Sequence, residues 1–554
     1  MSEFPEADAL YFLPLGGTGE IGMNLNLYGH AGRWLMIDLG VTFADDRQPG
    51  VDILMADPAF IVERREQLVG LVLTHGHEDH IGAVPYLWPM LRCPIYATPF
   101  TAALVRGKLE EAGLHEALDM MTIVPMSGGM LIEPFEIELI TLTHSIPEPN
   151  ALVIRTPLGA VLHTGDWKLD PEPLIGEDFD EQRLRELAEE GVLAMIGDST
   201  NAMVDGDSGS EADVRESLTE LVSGLKNRVA ITCFASNVAR LATVFHVASA
   251  TGRRVALVGR SLWRILRAAT ETGYLTDVPP ILDEEDIGYL PREEVLIVCT
   301  GSQGEGRAAL WRIARDEHPN VTLDRGDAVI FSSRIIPGNE VAIGALHNAL
   351  LHLGVEVITD EDHFVHVSGH PARDELAQMY GWVRPRAAIP VHGEARHLIE
   401  HARLAQACQV PHALVAENGD LIRLAPGEAE IVEEVAHGRL ALDGSRLVRV
   451  DSPVLRARNK MRMNGSAMVT VAVDGGGRLL GEPQVSLQGV FDEELEAEAS
   501  DEARAAVVEA IARAPKSRLG DDEFLREAAR VAVRRLCNRK LGKKPVTQVH
   551  LLRL

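Results

Sequence analysis

The chain has 554 residues, 46% of them hydrophobic and 24% charged, with a formal net charge of −29. That hydrophobic content can fill the cores of about three globular units and argues against a disordered chain. The acidic start Met1-Ser2-Glu3-Phe4-Pro5-Glu6 lacks the basic and apolar regions of a signal peptide, and no run of about 18 apolar residues could span a bilayer. The five cysteines, Cys93, Cys233, Cys299, Cys408 and Cys537, are scattered and form no CxxC pair. A soluble cytoplasmic protein is expected, with neither a disulfide framework nor a thiolate zinc ribbon.

Leu10-Tyr11-Phe12-Leu13 reads as a first strand, and Gly17-Thr18-Gly19-Glu20-Ile21-Gly22 after it fits the GxGxxG dinucleotide pattern. That pattern works by presenting a pyrophosphate to a helix N-terminus. Met23 to Tyr28 instead alternates with period two, so a second strand and a hairpin are expected, and dinucleotide binding is excluded. The next strand, Trp34-Leu35-Met36-Ile37, ends in Asp38-Leu39-Gly40, and Leu71-Val72-Leu73 runs into His75-Gly76-His77-Glu78-Asp79-His80. An extended strand end projects residues i and i+2 to one side, so His75 and His77 can grip one ion. The turn that follows offers Asp79 and His80 to a second. A lone buried histidine usually satisfies a core hydrogen bond, but four metal-seeking side chains in six residues read as a binuclear site.

The same grammar recurs: Leu139 to Thr143 ends in His144, Ala160-Val161-Leu162 leads to Gly165-Asp166, and Ala388 to Val391 ends in His392. Five strands therefore bring polar groups to one edge, where rigid scaffolds carry their chemistry. About 200 residues separate Asp166 from His392. Within them Val229 to Phe234, Val255 to Val258, Val295 to Val298 and Ala328 to Phe331 read as buried strands between helices, which predicts an inserted, mostly parallel α/β domain. Asp198, in Gly197-Asp198-Ser199-Thr200, has helix capping as its plain alternative. His366, Ser368 and His370 are spaced by two, which in a strand puts them on one side, so His366 either lines the site or does not. Gly301 to Gly306 lacks a P-loop's Gly-Lys-Ser/Thr ending and reads as a turn. His30, His115, His246, His347 and His401 stand alone, as surface or core histidines do.

Toward the C-terminus, Ala467 to Val473, Gln484 to Leu487 and Val546 to Leu552 read as strands accompanied by two charged helices. The overall acidity is the main physical objection to a polyanionic substrate. Local distribution weakens it: Arg456, Arg458, Lys460 and Arg462 form a basic run, and residues 504–554 hold 13 Lys or Arg against 5 Asp or Glu. Such a run is usually a solvated face, so RNA contact and subunit association are readings only.

Taken in order, His75, His77, Asp79, His80, His144 and Asp166 resemble the motifs of the metallo-β-lactamase superfamily, with Asp38 as its site-orienting aspartate. The insert resembles the β-CASP domain, with Asp198, His370 and His392 matching its three motifs, and essentially the whole chain is similar to the ribonuclease J family. The resemblance implies an α/β fold: an αββα sandwich (1–208 and 369–449) with a β-CASP parallel domain inserted at 209–368, a linker at 450–465, and a small α/β domain at 466–554. It implies two divalent ions, with His75, His77 and His144 on the first, Asp79, His80 and His392 on the second, and Asp166 bridging. The oxygen and nitrogen donor set suits Zn2+, with Mn2+ or Mg2+ as alternatives.

By the same resemblance the chain is a 5′-to-3′ exonuclease and endonuclease acting in mRNA decay and rRNA maturation. Water acidified between two dications attacks phosphorus, and His370, oriented by Asp198, protonates the leaving 3′ oxygen. The implied partners are single-stranded RNA with a 5′ monophosphate, a second copy in a homodimer, and components of an RNA-degrading assembly. Polar strand-end residues are the candidates for the terminal phosphate, Ser236, Asn237, Arg260, Ser261, Ser333, Arg334, His366, Ser368, Gly369 and His370, although the Ser and Asn residues among them would serve equally well as helix caps. A DNA nuclease, a small-molecule metallo-hydrolase and a non-catalytic RNA-binding scaffold remain as other readings, because fold alone does not fix function.

Overall fold

The computed structural model describes residues 5–45 and 47–554, with 35% helix and 26% strand. By its contacts the chain separates into a large unit, up to residue 42 and from 55 to 438, and a small one formed by 43–54 and 439–554.

The large unit is built on two facing sheets. The first, of eight strands, includes Leu10–Gly16, Leu25–His30, Arg33–Ile37 and Leu68–Val72. The second, of seven, includes Phe135–Thr141, Asn150–Thr156, Gly159–His163, Val192–Asp198 and Ala387–Val391. Leu10, Phe12, Leu35 and Ile37 from the first meet Phe135, Ile137, Leu152, Ile196 and Ile389 from the second in one buried cluster. Each side chain of this kind contributes about 1.5–3 kcal/mol on burial. On the outer face of the second sheet, the helices Glu181–Glu190, Arg373–Val383 and Ala395–Ala407 pack Leu184, Leu187, Leu376, Met379 and Leu404. The glycine-rich segment after Leu10–Gly16 leads into the antiparallel partner Leu25–His30, so the expected hairpin stands and no helix follows the GxGxxG pattern.

The insert is a six-stranded, wholly parallel sheet containing Val229–Thr232, Arg254–Val258, Val295–Cys299 and Ala328–Phe331. Alternate side chains leave on opposite faces. Val229, Ile231, Val255 and Leu257 join the core under the helices Glu211–Gly224, Val238–Thr251 and Arg260–Glu271. Ala230, Ala256, Val258 and Ile297 join the core under Ala309–Ala314 and Glu340–His352. Phe100 and Ile146 of the sandwich belong to the first of these cores, so sandwich and insert share packed interior.

The stretch expected to be a strand at His366 to His370 is not one. The Val365 carbonyl is taken by Arg240 Nη1 at 3.0 Å and by Ser332 Oγ at 2.7 Å, which leaves no ladder for the segment to join.

In the small unit, Gln484–Gln488 pairs antiparallel and Val546–Arg553 parallel with the central strand Ser466–Val473. Two helices cover this sheet with four-residue stripes, Ala499, Ala503, Val507 and Ile511 on one, and Leu525, Ala529 and Val533 on the other. Most of the stretch expected to be a linker, 450–465, is the helix Pro453–Asn464, capped by Ser452 and carrying the basic run. The strands Arg439–Asp443 and Arg446–Arg449, expected with the sandwich, fall in the small unit. Among the described residues no helix is long and apolar enough to cross a membrane.

Candidate metal centre

The polar groups gather where strands of the two facing sheets end. Leu68–Val72 leads into His75 and His77, and a single turn, Glu78–Ile81, carries Asp79 and His80. From the second sheet come His144, Asp166, Asp198 and His392. Two donor groups, His75, His77, His144 and Asp166, and Asp79, His80, Asp166 and His392, each have their ligand atoms within 4.8 Å of one another and share Asp166, and a third, Asp166, Asp198, His370 and His392, overlaps them at the same distance.

Hydrogen bonds on the far side of the His144 and His75 rings fix which of their nitrogens is bare. His144 Nδ1 donates to the Gly369 carbonyl, so its Nε2 points inward without a proton. Thr74 Oγ1 donates to Asp38 Oδ2 at 2.8 Å and accepts from His75 Nδ1 at 3.0 Å, which leaves His75 Nε2 bare. His77 Nδ1 then lies 3.1 Å from His75 Nε2 and 3.0 Å from His144 Nε2. His75 Nε2 and His144 Nε2 carry no proton, no hydrogen bond among the described residues fixes the tautomer of His77, and three ring nitrogens crowded at this distance fit the donor set of a cation.

In the second group, Asp38 Oδ2 accepts from His80 Nδ1 at 2.7 Å and Asn24 Oδ1 from His392 Nδ1 at 3.1 Å. His80 Nε2 lies 3.1 Å from Asp166 Oδ2, and His392 Nε2 is buried with no hydrogen-bond partner among the described residues. An orphaned nitrogen aimed between Asp79 and Asp166 fits a second cation equally well.

The protonation states of the first group suit this use, whereas His80 in the second must give up a proton to serve as a ligand. Burial, reinforced by neighbouring imidazoles, holds His75 and His144 well below the usual histidine range and brings His77 down to about 4, so all three are neutral at pH 7. Burial acts in the same sense on His80, but Asp166, Asp79 and Asp38 outweigh it and raise that ring well above its ordinary value. Burial alone would raise the Asp166 carboxyl; the imidazoles of His392 and His80 keep it well below the carboxylate range.

His370 stands beside both groups. Its Nδ1 is 2.8 Å from Asp198 Oδ2, whose partner oxygen accepts from Thr200 N and Oγ1 at 2.9 and 2.8 Å. Burial opposes protonation of this ring, but Asp198 prevails and its value rises to about 9.

Among the residues expected at a phosphate, Ser368 accepts from Asn201 Nδ2 and from His370 N, leaving its hydroxyl proton free to donate. His366 Nδ1 is buried without a partner and feels the charges of Arg240, Arg334 and Lys168. Gly369 is required where it is, since a Cβ there would lie 2.7 Å from the His144 ring. Ser333 is buried, Arg334 and Ser261 are exposed, and Ser236 is half-buried. Asn237 is committed elsewhere, capping the helix Val238–Thr251 through Arg240 N and reaching Glu211 with its amide.

Asn24, Thr74 and Asn201 were not singled out from the sequence. Each is a short polar residue beside a motif, and its use depends on a partner distant in the chain.

Family models match this chain along most of its length: "Metallo-beta-lactamase superfamily" over 22–226, "Ribonuclease J, beta-CASP domain" over 226–350, "Zn-dependent metallo-hydrolase RNA specificity domain" over 354–414, and "Ribonuclease J C-terminal domain" over 453–554. A ribonuclease J of Sinorhizobium meliloti is 45% identical, with 100% of this chain and 99% of that one aligned. The chain belongs to the ribonuclease J family. Other members of the ribonuclease J family agree: that of Mycolicibacterium smegmatis is 40% identical over 86% of each chain, and that of Thermus thermophilus 37% identical over 86% of this chain and 87% of its own. A solved structure of a protein of unknown function from Enterococcus faecalis V583 shares the fold, at 16% identity and a TM-score of 0.51, covering 75% of this chain and 100% of that one. As a ribonuclease J family member, the chain is a metal-dependent hydrolase of RNA.

Proposed function

We propose that this chain hydrolyses RNA phosphodiesters both processively from a 5′ monophosphate and internally, with His370 as general acid and two Zn2+ ions held by the two donor groups. The observation that carries the reading is the sharing of Asp166 between these groups, with the His370–Asp198 pair alongside. A donor set of imidazole and carboxylate without thiolate favours zinc over manganese or magnesium. When bound, such a pair of ions supplies the acidity that makes water a nucleophile at neutral pH and offsets charge at phosphorus.

The protein's own groups do the rest. His75 and His144 present bare nitrogens whose orientation is set by Thr74 and Gly369, His77 stands between them, and Asp38 and Asn24 orient His80 and His392. Asp198 holds His370 with Nδ1 protonated, so that Nε2 is the atom that delivers a proton to the departing 3′ oxygen. The products are then a 5′ phosphate and a 3′ hydroxyl. Ser368, with its free hydroxyl proton, and His366, with a buried Nδ1 that has no partner among the described residues, support binding of a terminal phosphate. A site sized for one phosphate would disfavour a 5′ triphosphate. All five cysteines are free, as a reducing cytoplasm leaves them.

Purified protein incubated with 5′-labelled and 3′-labelled RNA, and with a matched DNA, tests class and polarity together. Mononucleotides released from the 5′ label, cleavage stopped by chelator, and sparing of DNA are the expected results. Equal rates on 5′-monophosphorylated and 5′-triphosphorylated RNA would remove the phosphate site, and activity undiminished in metal-free protein would remove the mechanism.

A further inference from the structure

The helix Arg260–Glu271 turns an unusual face outward for so acidic a chain. Its buried side is Leu262, Ile265, Leu266, Ala268 and Ala269. Its exposed side carries Arg260, Trp263, Arg264 and Arg267 in one stripe at three- and four-residue spacing. Trp263 is 41% exposed, and a shallow cavity of about 410 Å³ lies against it, bordered by Leu266, Arg267, Thr270 and the acidic Glu271. Arg264 is engaged with Glu111 at 2.9 Å and Glu271 with Arg106 at 2.8 Å, while Arg260 and Arg267 have no ionic partner among the described residues.

Position gives the stripe a direction. The helix starts directly after Arg254–Val258, at the same end of the parallel sheet from which Ser236 and Ser333 leave their strands. Its flank packs on the sandwich helix Pro99–Glu111 through those two ion pairs, and Phe100 meets Tyr274 edge to face at 6.1 Å. That sandwich helix borders the metal loop, for a Cβ on Gly76 would strike Leu104. The two helices run antiparallel by these contacts, so Arg267 is the end of the stripe nearer the metal loop and Arg260 the farther, and two helical turns separate them, about 10 Å at 1.5 Å per residue.

We propose that this face is an outer track for single-stranded RNA, with a base stacked on Trp263 and phosphates on Arg260 and Arg267. The proposal rests on the ribonuclease reading above and adds to it a place beyond the metal centre where longer substrates are held. A flat aromatic between guanidinium groups is the sequence-tolerant platform by which proteins grip unpaired strands. Two cations without ionic partners among the described residues, aligned beside an exposed tryptophan, match the charge of RNA.

The test uses zinc-loaded, full-length protein carrying His370→Ala, so that RNA is bound and not consumed, and labelled 5′-monophosphorylated uridine oligomers of about 20 and about 3 nucleotides, the shorter reaching only the site. Trp263→Ala should weaken binding of the longer RNA about tenfold and leave the shorter unchanged. Arg260→Ala with Arg267→Ala should make the dependence of log affinity on log salt shallower by about 1.4, at about 0.7 per phosphate contact on a single strand. Unchanged affinity for the longer RNA in both variants, with melting curves like the parent's, would overturn the track and leave this face to a protein partner. Equal losses on both lengths would overturn it too, by moving the effect into the site. If the His370→Ala protein binds neither RNA before any change to the helix, the ribonuclease reading itself fails and the track with it.

Discussion

Asp198→Asn is the most discriminating single change at the site. The buried carboxylate accepts from His370 Nδ1 at 2.8 Å with one oxygen and from two Thr200 groups with the other. Asparagine is close in size and its carbonyl oxygen can keep both Thr200 bonds, so the turn should hold. Its amide group, now facing His370, cannot accept the Nδ1 proton. A charge-assisted hydrogen bond of this kind is worth about 1.5–3 kcal/mol, which converts to about a 10- to 150-fold loss in kcat. The assay is turnover of a fluorogenic RNA alongside elemental analysis and thermal melting. Metal content and melting should match the parent. Asp198 also lies within 4.8 Å of donor atoms of Asp166, His370 and His392, so a competing role as ligand is geometrically open. Loss of an ion in the variant would refute the orienting role in favour of that one, and an unchanged kcat would refute both.

Asn24→Ala removes the acceptor that fixes His392 and should weaken metal affinity about 10- to 100-fold in a chelator competition, the usual effect of losing a ligand's outer partner; an unaltered affinity would show that His392 orients itself. Arg240→Met strands the Glu211 carboxylate, which Arg240 now meets at 3.0 and 3.1 Å, and should cost about 3–5 kcal/mol in chemical denaturation; a loss under about 1 kcal/mol would mean that Glu211 finds water or a proton. Burial holds the His401 ring down to about 4 between Ser199 and Tyr380, against about 6.5 when unfolded. The folded state then binds fewer protons, so its contribution is whole above pH 6.5 and fades as pH falls toward 4, by about 3 kcal/mol in all. His401→Gln should therefore narrow the drop in melting temperature between pH 7.5 and 4.5, and an identical drop in both proteins would discount His401.

The strand ends that carry His75, Asp166 and His392 were readable because an apolar run stopping at a polar residue is a local signal. The contacts that set their tautomers were not, since Asn24 meets His392 368 residues away and Gly369 meets His144 225 away. His366 to His370 shows the limit of spacing: period two is compatible with a strand, but whether a strand forms depends on the Val365 carbonyl, which Arg240 and Ser332 occupy. His401 read as a solitary residue because Ser199 and Tyr380 converge on it only in three dimensions. The helix at 453–464 escaped notice because a dense run of charge resembles a connector until Ser452 is seen to cap it.

The sharing of Asp166 by two donor groups also imposes an order of events on the ribosome. His75, His77, His144 and Asp166 are all present once residue 166 has been made, yet His392 follows 226 residues later, after the whole inserted domain. At about 5–20 residues per second that is an interval of about 10 to 45 s. A nascent chain can hold at most one complete donor group during that time and lacks His370 for most of it, so an enzyme of this design cannot turn on the message that is still being translated into it until about 70% of the protein exists.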